Sequence, residues 1–388
     1  MRIVHVIDYY QEQLGYQESH LAKQHAECGH DVFVVTSNLF YPFNDYETLY
    51  EQVLGNRKVL AGNSKVDGYS IIRNSILFEI KNRAWIKKLI KTISNLKPDV
   101  IICHGIVNFS FFRILLSTTG LLRNIRIIVD DHMAEDFISN KFVAKAFYGF
   151  FRIFFSPIVV RRSDKIVAVS EVTRKFMEIN YGLPSQIINY IPLGADLSVY
   201  YPSDSVRLSM RNKFGINNSD IVLVYSGKII PEKRIEFVIE AISQLPERNR
   251  IHFHFFLIGT YTSDYLKKLK SLSNYGINLY IQSFQKDPEQ LADYYRMSDI
   301  GVWPFGASAG TIDCLACGNI IVCSDYLPER VSNNNGILIS ASDSADKLRD
   351  FLIEIFSDRK KLSSMKQNSF LLAQKEFSWR VISQNILK

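Results

Sequence analysis

The stretch from Val224 to Ala241, VYSGKIIPEKRIEFVIEA, decides how the second half of the chain folds. Its apolar first residues predict a β-strand that ends at Gly227, and an apolar pattern with helical spacing begins near Glu232. Gly227 allows the backbone to turn sharply between the two elements. Lys228 and Lys233 lie in this turn and in the first turn of the predicted helix, so two cations and a helix N-terminus are expected close together.

The turn after Gly227 has the chemistry that binds a diphosphate group. Lysine ammonium groups, backbone N–H donors and the positive end of a helix dipole all favour an anion at this place. Held in advance in this geometry, they would also stabilise negative charge that grows on a departing phosphate. The alternative is a strand, turn and helix whose lysines are only solvated.

A second segment, Ser298 to Asp325, reads SDIGVWPFGASAGTIDCLACGNIIVCSD and predicts a strand, a glycine-rich loop, a helix and another strand. Gly306 and Gly310 would let backbone amides approach a ligand at the start of that helix. Asp313 falls one turn into the helix, where a carboxylate can accept hydrogen bonds from two neighbouring ribose hydroxyls. A dipole-stabilising role in the first helical turn is the alternative for Asp313.

Around these segments, apolar β-branched runs alternate with helical patterns along the whole chain. The predicted strands are 3–7, 32–36, 70–73, 100–103, 125–129, 165–169, 187–191, 221–225, 252–258, 278–281, 299–302, 320–323 and 336–338. A segment rich in Pro, Gly, Asp and Ser, 191–205, interrupts the alternation. The sequence therefore predicts two doubly wound α/β domains facing a central cleft: an N-terminal domain at 1–195, and a C-terminal domain at 196–388 whose last helix is a candidate to pack back on the first.

The bulk composition fits a folded protein of two domains. At 388 residues the chain is too long for one ordinary core, and 47% hydrophobic with 22% charged residues is typical of globular proteins. The N-terminus, MRIVHVIDYY, is predicted as a first strand and not as a signal peptide, and no apolar run reaches the ~18 residues of a membrane span. An odd number of cysteines, five, predicts a reducing compartment. We therefore expect a cytoplasmic protein.

Two basic segments, 73–97 and 141–162, interleave lysines and arginines with aromatic and aliphatic residues, and both are predicted to be amphipathic helices. Such helices lie on anionic membrane surfaces, bind nucleic acid, or cover a domain core with their apolar face. Residues 147–160 contain more aromatic side chains than one core-facing stripe requires, which favours a membrane surface, and no nucleic-acid partner is expected. Packing on the domain core stays open as the alternative.

With these residues in view, the chain resembles the retaining GT-B glycosyltransferases of family four, also called glycosyl transferases group 1. In that family a G-[RK]-x-x-x-x-K element before a long helix binds the donor diphosphate, and Gly227, Lys228 and Lys233 match it. A second family signature is an acid, seven residues, a second acid and then x-x-A-x-G; DCLACG, from Asp313 to Gly318, matches its second half. Further matches are Gly15, SDKIVAVS at 163–170, IPLGAD at 191–196, Ser298 with Asp299, and FSW at 377–379.

The chain departs from the family at Phe305, which stands where the first acid of the second signature is expected. In the family that acid is associated with the transferred sugar. Ser308 and Thr311 are candidates to supply hydroxyl contacts in its place. Phe305 also motivates an alternative function, a non-catalytic carbohydrate-binding or scaffold subunit of a polysaccharide assembly system.

The resemblance implies a hexosyl-type glycosyltransferase (EC 2.4.-.-) that needs neither metal nor cofactor and retains the anomeric configuration. It implies transfer from a nucleoside-diphosphate sugar to a glycan or lipid-linked acceptor, in the synthesis of surface polysaccharide or lipopolysaccharide. A peripheral position on the inner face of the cytoplasmic membrane would follow if the basic helices touch an anionic surface. A dinucleotide oxidoreductase is disfavoured, because Gly15 stands alone where G-x-G-x-x-G would be needed.

The candidate site residues divide by role. A histidine at the rim of a cleft can bind a sugar hydroxyl or transfer a proton, and a purely structural histidine is the alternative for His132. Asp130 and Asp131 would suggest a metal-binding pair, but the fold class implied by the resemblance works without one. The candidate catalytic residues are His132, Lys228 and Lys233; the donor-binding residues are Gly15, Gly227, Lys228, Lys233, Gly306, Ser308, Ala309, Gly310, Thr311 and Asp313; the acceptor-side residues are Tyr16, His104 and His132.

Overall fold

A computed structural model describes residues 1–44, 46–134, 141–273, 276–306 and 308–388 of the protein. The chain forms two compact units, one made of Met1–Leu193 with Ile382–Lys388 and the other of Gly194–Val381. Each unit has its own mainly parallel sheet with helices. The predicted fold class, two doubly wound Rossmann-like α/β domains, is thereby confirmed.

The N-terminal unit is built on one large sheet. Its strands and those of a separate hairpin are β1 (Arg2–Val6), β2 (Asp31–Ser37), β3 (Gly62–Val66), β4 (Tyr69–Asn74), β5 (Ile76–Ile80), β6 (Arg83–Ile86), β7 (Val100–His104), β8 (Arg126–Asp131), β9 (Lys165–Ala168) and β10 (Ile188–Tyr190). The sheet has the order β10-β9-β8-β7-β1-β2-β4-β3, and its neighbours are parallel except that β3 is antiparallel to β4. Every residue of β7 is buried, as expected for a parallel strand covered on both faces.

Helices accompany this sheet. They are α1 (Gln17–Glu27), α2 (Glu51–Leu54), α3 (Leu89–Leu96), α4 (Phe109–Ser117), α5 (Lys141–Phe154), α6 (Ser156–Arg162) and α7 (Glu171–Phe176). Within the part of the chain that the structure describes, no single helix is both long and apolar enough to cross a membrane. Residues of α5 and α6 meet that criterion only as a pair, and the pair is bent by 47°.

The predicted basic helix at 73–97 is wrong for most of its length. Strands β5 and β6 form an antiparallel hairpin there, and only α3 is helical. Lys81 and Asn82 both have positive φ, 45° and 61°, as a tight two-residue hairpin turn requires. The rings of Phe78 and Trp85 stack across the pair with centroids 5.5 Å apart. Pairing across the hairpin therefore accounts for the apolar residues of β5 and β6, which the helix prediction places on one helix face.

The C-terminal unit repeats the plan on a smaller sheet. Its strands are β11 (Ile221–Ser226), β12 (Phe253–Ile258), β13 (Asn278–Gln282), β14 (Ile300–Trp303), β15 (Ile320–Ser324) and β16 (Gly336–Ile339), all parallel in the order β13-β12-β11-β14-β15-β16. The helices that follow along the chain are α8 (Asp204–Phe214), α9 (Glu236–Ser243), α10 (Glu247–Arg250), α11 (Ser263–Ser273), α12 (Pro288–Met297), α13 (Gly310–Ala316), α14 (Ala345–Ser357), α15 (Arg359–Leu372) and α16 (Trp379–Leu387).

The last turns of α16 belong to the N-terminal unit. Side chains of that unit donate hydrogen bonds to the terminal carbonyl groups of α16. Lys165 Nζ donates to the carbonyl of Asn385 at 2.6 Å, and the guanidinium of Arg126 donates to that of Leu387. These carbonyls have no partner inside the helix, and positive charge is favourable at a helix C-terminus. These contacts hold Ile382–Lys388 against the N-terminal unit.

A buried carboxylate ties α8 and α15 to the sheet of the C-terminal unit. Asp299 accepts from Arg207 Nη2 and Arg211 Nη2, both at 2.6 Å, from Lys366 Nζ at 3.1 Å and from the backbone N–H of Val222 at 2.9 Å. Burial alone would raise the pKa of Asp299, but the three cations outweigh it and hold this pKa below its usual value. The acid of the Ser298 and Asp299 motif is therefore a structural anchor.

Replacing Asp299 tests this anchor. We expect Asp299→Ala to lower the free energy of unfolding of the C-terminal unit by about 3–5 kcal/mol, because it leaves buried cations without their counterion. Urea unfolding curves measure the change. The matched control is Asp264→Ala in the same unit, whose carboxylate is fully exposed and 3.9 Å from Lys267, and it should unfold like the wild type. Equal curves for both variants would contradict the anchoring role.

Candidate functional site

Two glycines lie side by side where β11 and β12 end. Gly227 has a φ of 133°, which favours glycine, and its N–H donates to the carbonyl of Ile258 at 2.9 Å. A Cβ atom on Gly259 would overlap the carbonyl group of Gly227. The hydroxyl of Tyr225 donates to the carbonyl of Lys228 at 2.8 Å, which fixes the turn while the Lys228 side chain stays exposed.

Lys233 lies on a short 3-10 turn, Pro231–Lys233, and not in the first turn of a long helix. The residue after it, Arg234, has a φ of 46° in the left-handed region and so ends the turn. Helix α9 begins only at Glu236. The predicted helix start near Glu232 is therefore too early, and Lys233 belongs to the loop that precedes the helix.

The loop of Lys233 meets the glycine-rich loop that follows β14. A Cβ atom on Gly306 would lie 2.9 Å from Lys233 Nζ, and the φ of Gly306 is 77°. Any other residue would thus strain the backbone and displace the ammonium group. The half-buried Lys233 therefore sits directly against the second segment that the sequence singled out.

The start of α13 packs on the end of β11. A Cβ atom on Gly310 would lie 2.7 Å from Ser226 Oγ and 3.0 Å from the hydroxyl of Tyr295. Thr311 is buried, and its hydroxyl donates to the carbonyl of Ser308 at 2.7 Å. Thr311 therefore closes the loop, while Ser308 is half-buried and Ala309 exposed.

Asp313 lies in the first turn of α13, and its side chain is half-buried. Burial, opposed by nearby Arg330 and reinforced by Asp196, raises the pKa of Asp313 to about 7. Near neutral pH this carboxyl group is therefore only partly ionised. Hydroxyl groups that donate to a carboxylate favour its ionised form, so a polyhydroxyl ligand would lower this pKa.

Phe305 packs as an anchor for its loop. The guanidinium carbon of Arg234 lies 3.9 Å from the centroid of the Phe305 ring, and the ring of Phe237 meets it edge-on at 5.2 Å. A cation over an aromatic face and an edge-to-face ring pair are both favourable contacts. The position therefore carries a packed aromatic ring and offers no hydrogen-bond acceptor.

In the N-terminal unit, Gly15 and Tyr16 precede α1. Gly15 has a φ of 61° in the left-handed region, and a Cβ atom there would make only an ordinary contact, so the backbone conformation is what favours glycine. Tyr16 is the N-cap residue of α1, and its side chain is 39% exposed. Both residues are thus accessible, as the prediction for them requires.

His104, which is predicted as an acceptor-side residue, is buried. Its Nδ1 lies 2.7 Å from Asp130 Oδ2, and its Nε2 lies 3.0 Å from Nδ1 of His5. Gln17 Nε2 donates to the same Asp130 oxygen at 3.2 Å. Both ring nitrogens of His104 therefore have partners inside the unit. The contact with Asp130 follows from the register of β7 and β8, which sets Asp130 opposite His104.

His132 is accessible, with 46% of its side chain exposed, and its Nε2 lies 3.9 Å from Asp130 Oδ1. The neighbouring Asp131 has different partners: its carboxylate accepts from the backbone N–H of His132 at 2.7 Å and from the hydroxyl of Tyr181 at 2.8 Å. Asp130 and Asp131 are consecutive in β8, so their side chains leave opposite faces of the sheet. They do not form a pair.

Several residues of this site were missed by sequence reasoning. Arg234 and Phe237 hold the Phe305 loop, and Gln17 holds Asp130. Glu18, in the first turn of α1, is buried, and burial raises its pKa. The one available signal was the place of Gln17 and Glu18 directly after the predicted Gly15 loop.

Two family models match the chain. One, described as Glycosyltransferase Family 4, matches residues 19–199, and the other, described as Glycosyl transferases group 1, matches residues 206–371. The first match falls mostly on the N-terminal unit and the second on the C-terminal unit. Together they cover most of the chain and both of its units.

Individual proteins are more distant. The chain is similar to D-inositol 3-phosphate glycosyltransferase of Rhodococcus erythropolis, with 28% identity over 187 residues that make up 46% of this chain and 42% of that protein. The chain thus matches less than half the length of that relative. Among solved structures it is similar to Anabaena Alr3699/HepE in complex with UDP-glucose, with a TM-score of 0.63 and 17% identity over 100% of this chain and 98% of that one.

A glycosyltransferase from Rickettsia africae has a similar fold as well. Its TM-score is 0.68 and its identity 15%, over 100% of this chain and 96% of that chain. At such identities the likeness shows the fold, two Rossmann-like domains.

Proposed function

Because the chain belongs to the group 1 glycosyltransferases of family 4, which have the GT-B fold, we propose that it transfers a sugar from a nucleoside-diphosphate sugar to a glycan or lipid-linked acceptor. The observation that carries the proposal is the contact between Lys233 and the Gly306 loop, beside the start of α13. This contact places the ammonium group of Lys233 beside the backbone of Gly306, which has no side chain to separate the two. The complex of HepE with UDP-glucose supports a donor of this kind.

In the proposed reaction the C-terminal unit holds the donor. Lys228 and Lys233 bind the diphosphate and stabilise the charge that develops as the bond from the sugar to phosphate breaks. Asp313 accepts hydrogen bonds from the ribose. The lysines supply the positive charge that a metal ion provides in other transferases, so no metal is invoked.

The N-terminal unit supplies the acceptor side, with Tyr16 and His132 as its accessible residues. The acceptor oxygen attacks from the face that the diphosphate leaves, and the acceptor proton passes to a phosphate oxygen of the leaving group. The configuration at the anomeric carbon is then retained. We propose a role in the synthesis of surface polysaccharide or lipopolysaccharide.

Lys233→Ala tests the function. We expect turnover of the donor to fall by about 10²–10³-fold, the loss typical for one preorganised group that stabilises a leaving charge. The readout is nucleoside diphosphate released from a panel of UDP-, GDP- and ADP-sugars. CMP released from CMP-sugars is measured as the control donor class. Lys267→Ala, which removes an exposed lysine of the same unit, is the matched control and should turn over normally.

A non-catalytic scaffold is the second candidate, and the packing of Phe305 against Arg234 favours it, since that position offers the sugar no acceptor. A scaffold would show no turnover with any donor, and Lys233→Ala would support polysaccharide assembly as well as the wild type does. That pair of results would overturn the enzyme proposal.

The raised pKa of Asp313 predicts a pH dependence of donor binding. Ribose hydroxyls need the ionised carboxylate, so nucleotide affinity should rise as pH increases through about 7, by about tenfold between pH 6 and pH 8. Calorimetric titration with UDP measures it. Asp313→Asn has no titrating group at this place and reports the titration of UDP itself; a wild type with the same pH dependence as Asp313→Asn would contradict the ribose contact.

One face of α5 fits an anionic membrane surface. Tyr148 and Phe151 pack in the core of the N-terminal unit. Core packing, the alternative interpretation of this helix, therefore holds for the side of α5 that carries these two residues. The opposite side exposes large apolar residues: Phe142, Val143, Phe147, Phe150, Ile153 and Phe154 are 42–84% exposed. Such a patch is unusual on a soluble surface. Segment 141–162 also contains five basic residues, Lys141, Lys145, Arg152, Arg161 and Arg162, and no acid.

We therefore propose that α5 lies on the inner face of the cytoplasmic membrane, with its phenylalanines among the acyl chains and its cations near the headgroups. The protein should pellet with vesicles that contain phosphatidylglycerol at low salt and be released at high salt. Phe150→Ser with Ile153→Ser should abolish pelleting. Phe284→Ser, which removes an exposed phenylalanine of the other unit, should not. If the wild type does not pellet with the vesicles at low salt, the membrane proposal is wrong.

A further inference from the structure

Three buried histidines form a continuous chain of hydrogen bonds in the N-terminal unit. It runs from the carbonyl of Ser383 to His25 Nε2 at 3.1 Å, and from His25 Nδ1 to His5 Nε2 at 3.1 Å. It continues from His5 Nδ1 to His104 Nε2 at 3.0 Å and from His104 Nδ1 to Asp130 Oδ2 at 2.7 Å. We call these four side chains, His25, His5, His104 and Asp130, the histidine chain.

The carbonyl of Ser383 sets the direction of the protons, because a carbonyl oxygen only accepts. His25 Nε2 therefore carries a hydrogen atom. Burial lowers the pKa of His25 to about 4 and that of His5 well below its usual value, so each ring is neutral and has one donor and one acceptor nitrogen. It follows that His25 Nδ1 accepts from His5 Nε2, and that His5 Nδ1 can only accept.

His104 must then donate through Nε2 to His5, which leaves its Nδ1 facing Asp130 with one proton between them. Gln17 also donates to Asp130 Oδ2, so that oxygen acts as a carboxylate acceptor and the proton resides on His104. His104 is thus an imidazolium paired with a carboxylate. Burial opposes this charge, but the attraction and hydrogen bond of Asp130, together with Glu18, raise the pKa of His104 above its usual value.

The second carboxylate oxygen of Asp130 points to the accessible end of the site. Asp130 Oδ1 is buried and has no hydrogen-bond partner in the part of the chain that the structure describes. It lies 3.9 Å from Nε2 of His132, whose ring is partly exposed. An unsatisfied buried acceptor is costly, and a small rotation of His132 would satisfy it.

We propose that the histidine chain is a positioning device for His132: it fixes Asp130 so that His132 Nε2 donates to Oδ1, and His132 Nδ1 is left to accept from an acceptor hydroxyl next to the one that reacts. Asp130 thus selects the tautomer of His132, as a carboxylate does for the histidine of a hydrolytic triad. Naming the acceptor hydroxyl rests on the proposed function. The titratable groups that face His104 are His5 on β1, Asp130 on β8 and Glu18 on α1, with His132 beyond Asp130.

Nitrogen spectra of the full chain with ¹⁵N-labelled histidine test the charge assignment without any turnover. In the wild type at about pH 7.5, His104 should show two protonated ring nitrogens and His132 the Nε2–H tautomer. His5→Phe removes the acceptor, so His104 should become neutral with its proton on Nδ1. His5→Asn offers an amide oxygen in place of Nδ1 and should restore the wild-type spectrum. A neutral His104 in the wild type would overturn the proposal, whatever the variants do.

Kinetics test the positioning role. His104→Phe removes the hydrogen bond that fixes Asp130 and should lower kcat by about tenfold, roughly the worth of one hydrogen bond, with the donor KM unchanged. His104→Asn, whose amide can still donate to Asp130, should recover kcat. An unchanged kcat in a folded His104→Phe would overturn the role of the histidine chain. If no donor is turned over by the wild type, the proposed function fails, while the spectra still decide the charge on His104.

Discussion

The C-terminal unit depends on how closely backbone can approach the end of β11. Gly259 lets β12 pass against the carbonyl of Gly227, and Gly310 lets α13 start against Ser226. Gly306 in turn leaves room for the ammonium of Lys233. A Cβ atom on Gly259 would overlap backbone, and one on Gly310 would press on Ser226 and Tyr295, whereas at Gly306 it is the positive φ of 77° that favours glycine most. The three glycines bring a strand end, a helix start and a cation to one edge of the sheet, where the carboxyl ends of parallel strands bind ligands.

The N-terminal unit uses the same kind of sheet in another way. Its central strands are buried on both faces, so a polar side chain there needs a partner inside the protein. His5 and His104 lie on neighbouring strands and meet each other, and His104 meets Asp130 across the next strand pair. Within the described residues Asp130 Oδ1 has no hydrogen-bond partner, and it lies 3.9 Å from Nε2 of the exposed His132. One unit thus places a lysine at the edge of its sheet, while the other pairs its buried polar groups with one another and leaves Asp130 Oδ1 near the ring of His132.

Much of the fold could be predicted because buried parallel strands are continuous apolar runs, which stand out in a sequence. The hairpin β5–β6 could not, because its apolar residues are equally compatible with a helix until the turn at Lys81 and Asn82 is known. Lys228 and Lys233 were found from their spacing after Gly227, but the place of Lys233 on a separate turn depends on the left-handed Arg234. The histidine chain links His5 through His25 to the carbonyl of Ser383. No local sequence pattern reveals hydrogen bonds between residues so far apart in the chain.

We propose that the C-terminal unit binds a diphosphate group through Lys233 and the Gly306 loop. Calorimetry tests it most directly with the tightest binder among UDP, GDP and ADP, compared with the corresponding nucleoside monophosphate. We expect the wild type to bind the diphosphate at least about tenfold more tightly than the monophosphate, the worth of one charge-assisted hydrogen bond, and Lys233→Ala to lose most of this difference. Equal affinities for diphosphate and monophosphate in the wild type, or an undiminished difference in Lys233→Ala, would contradict it.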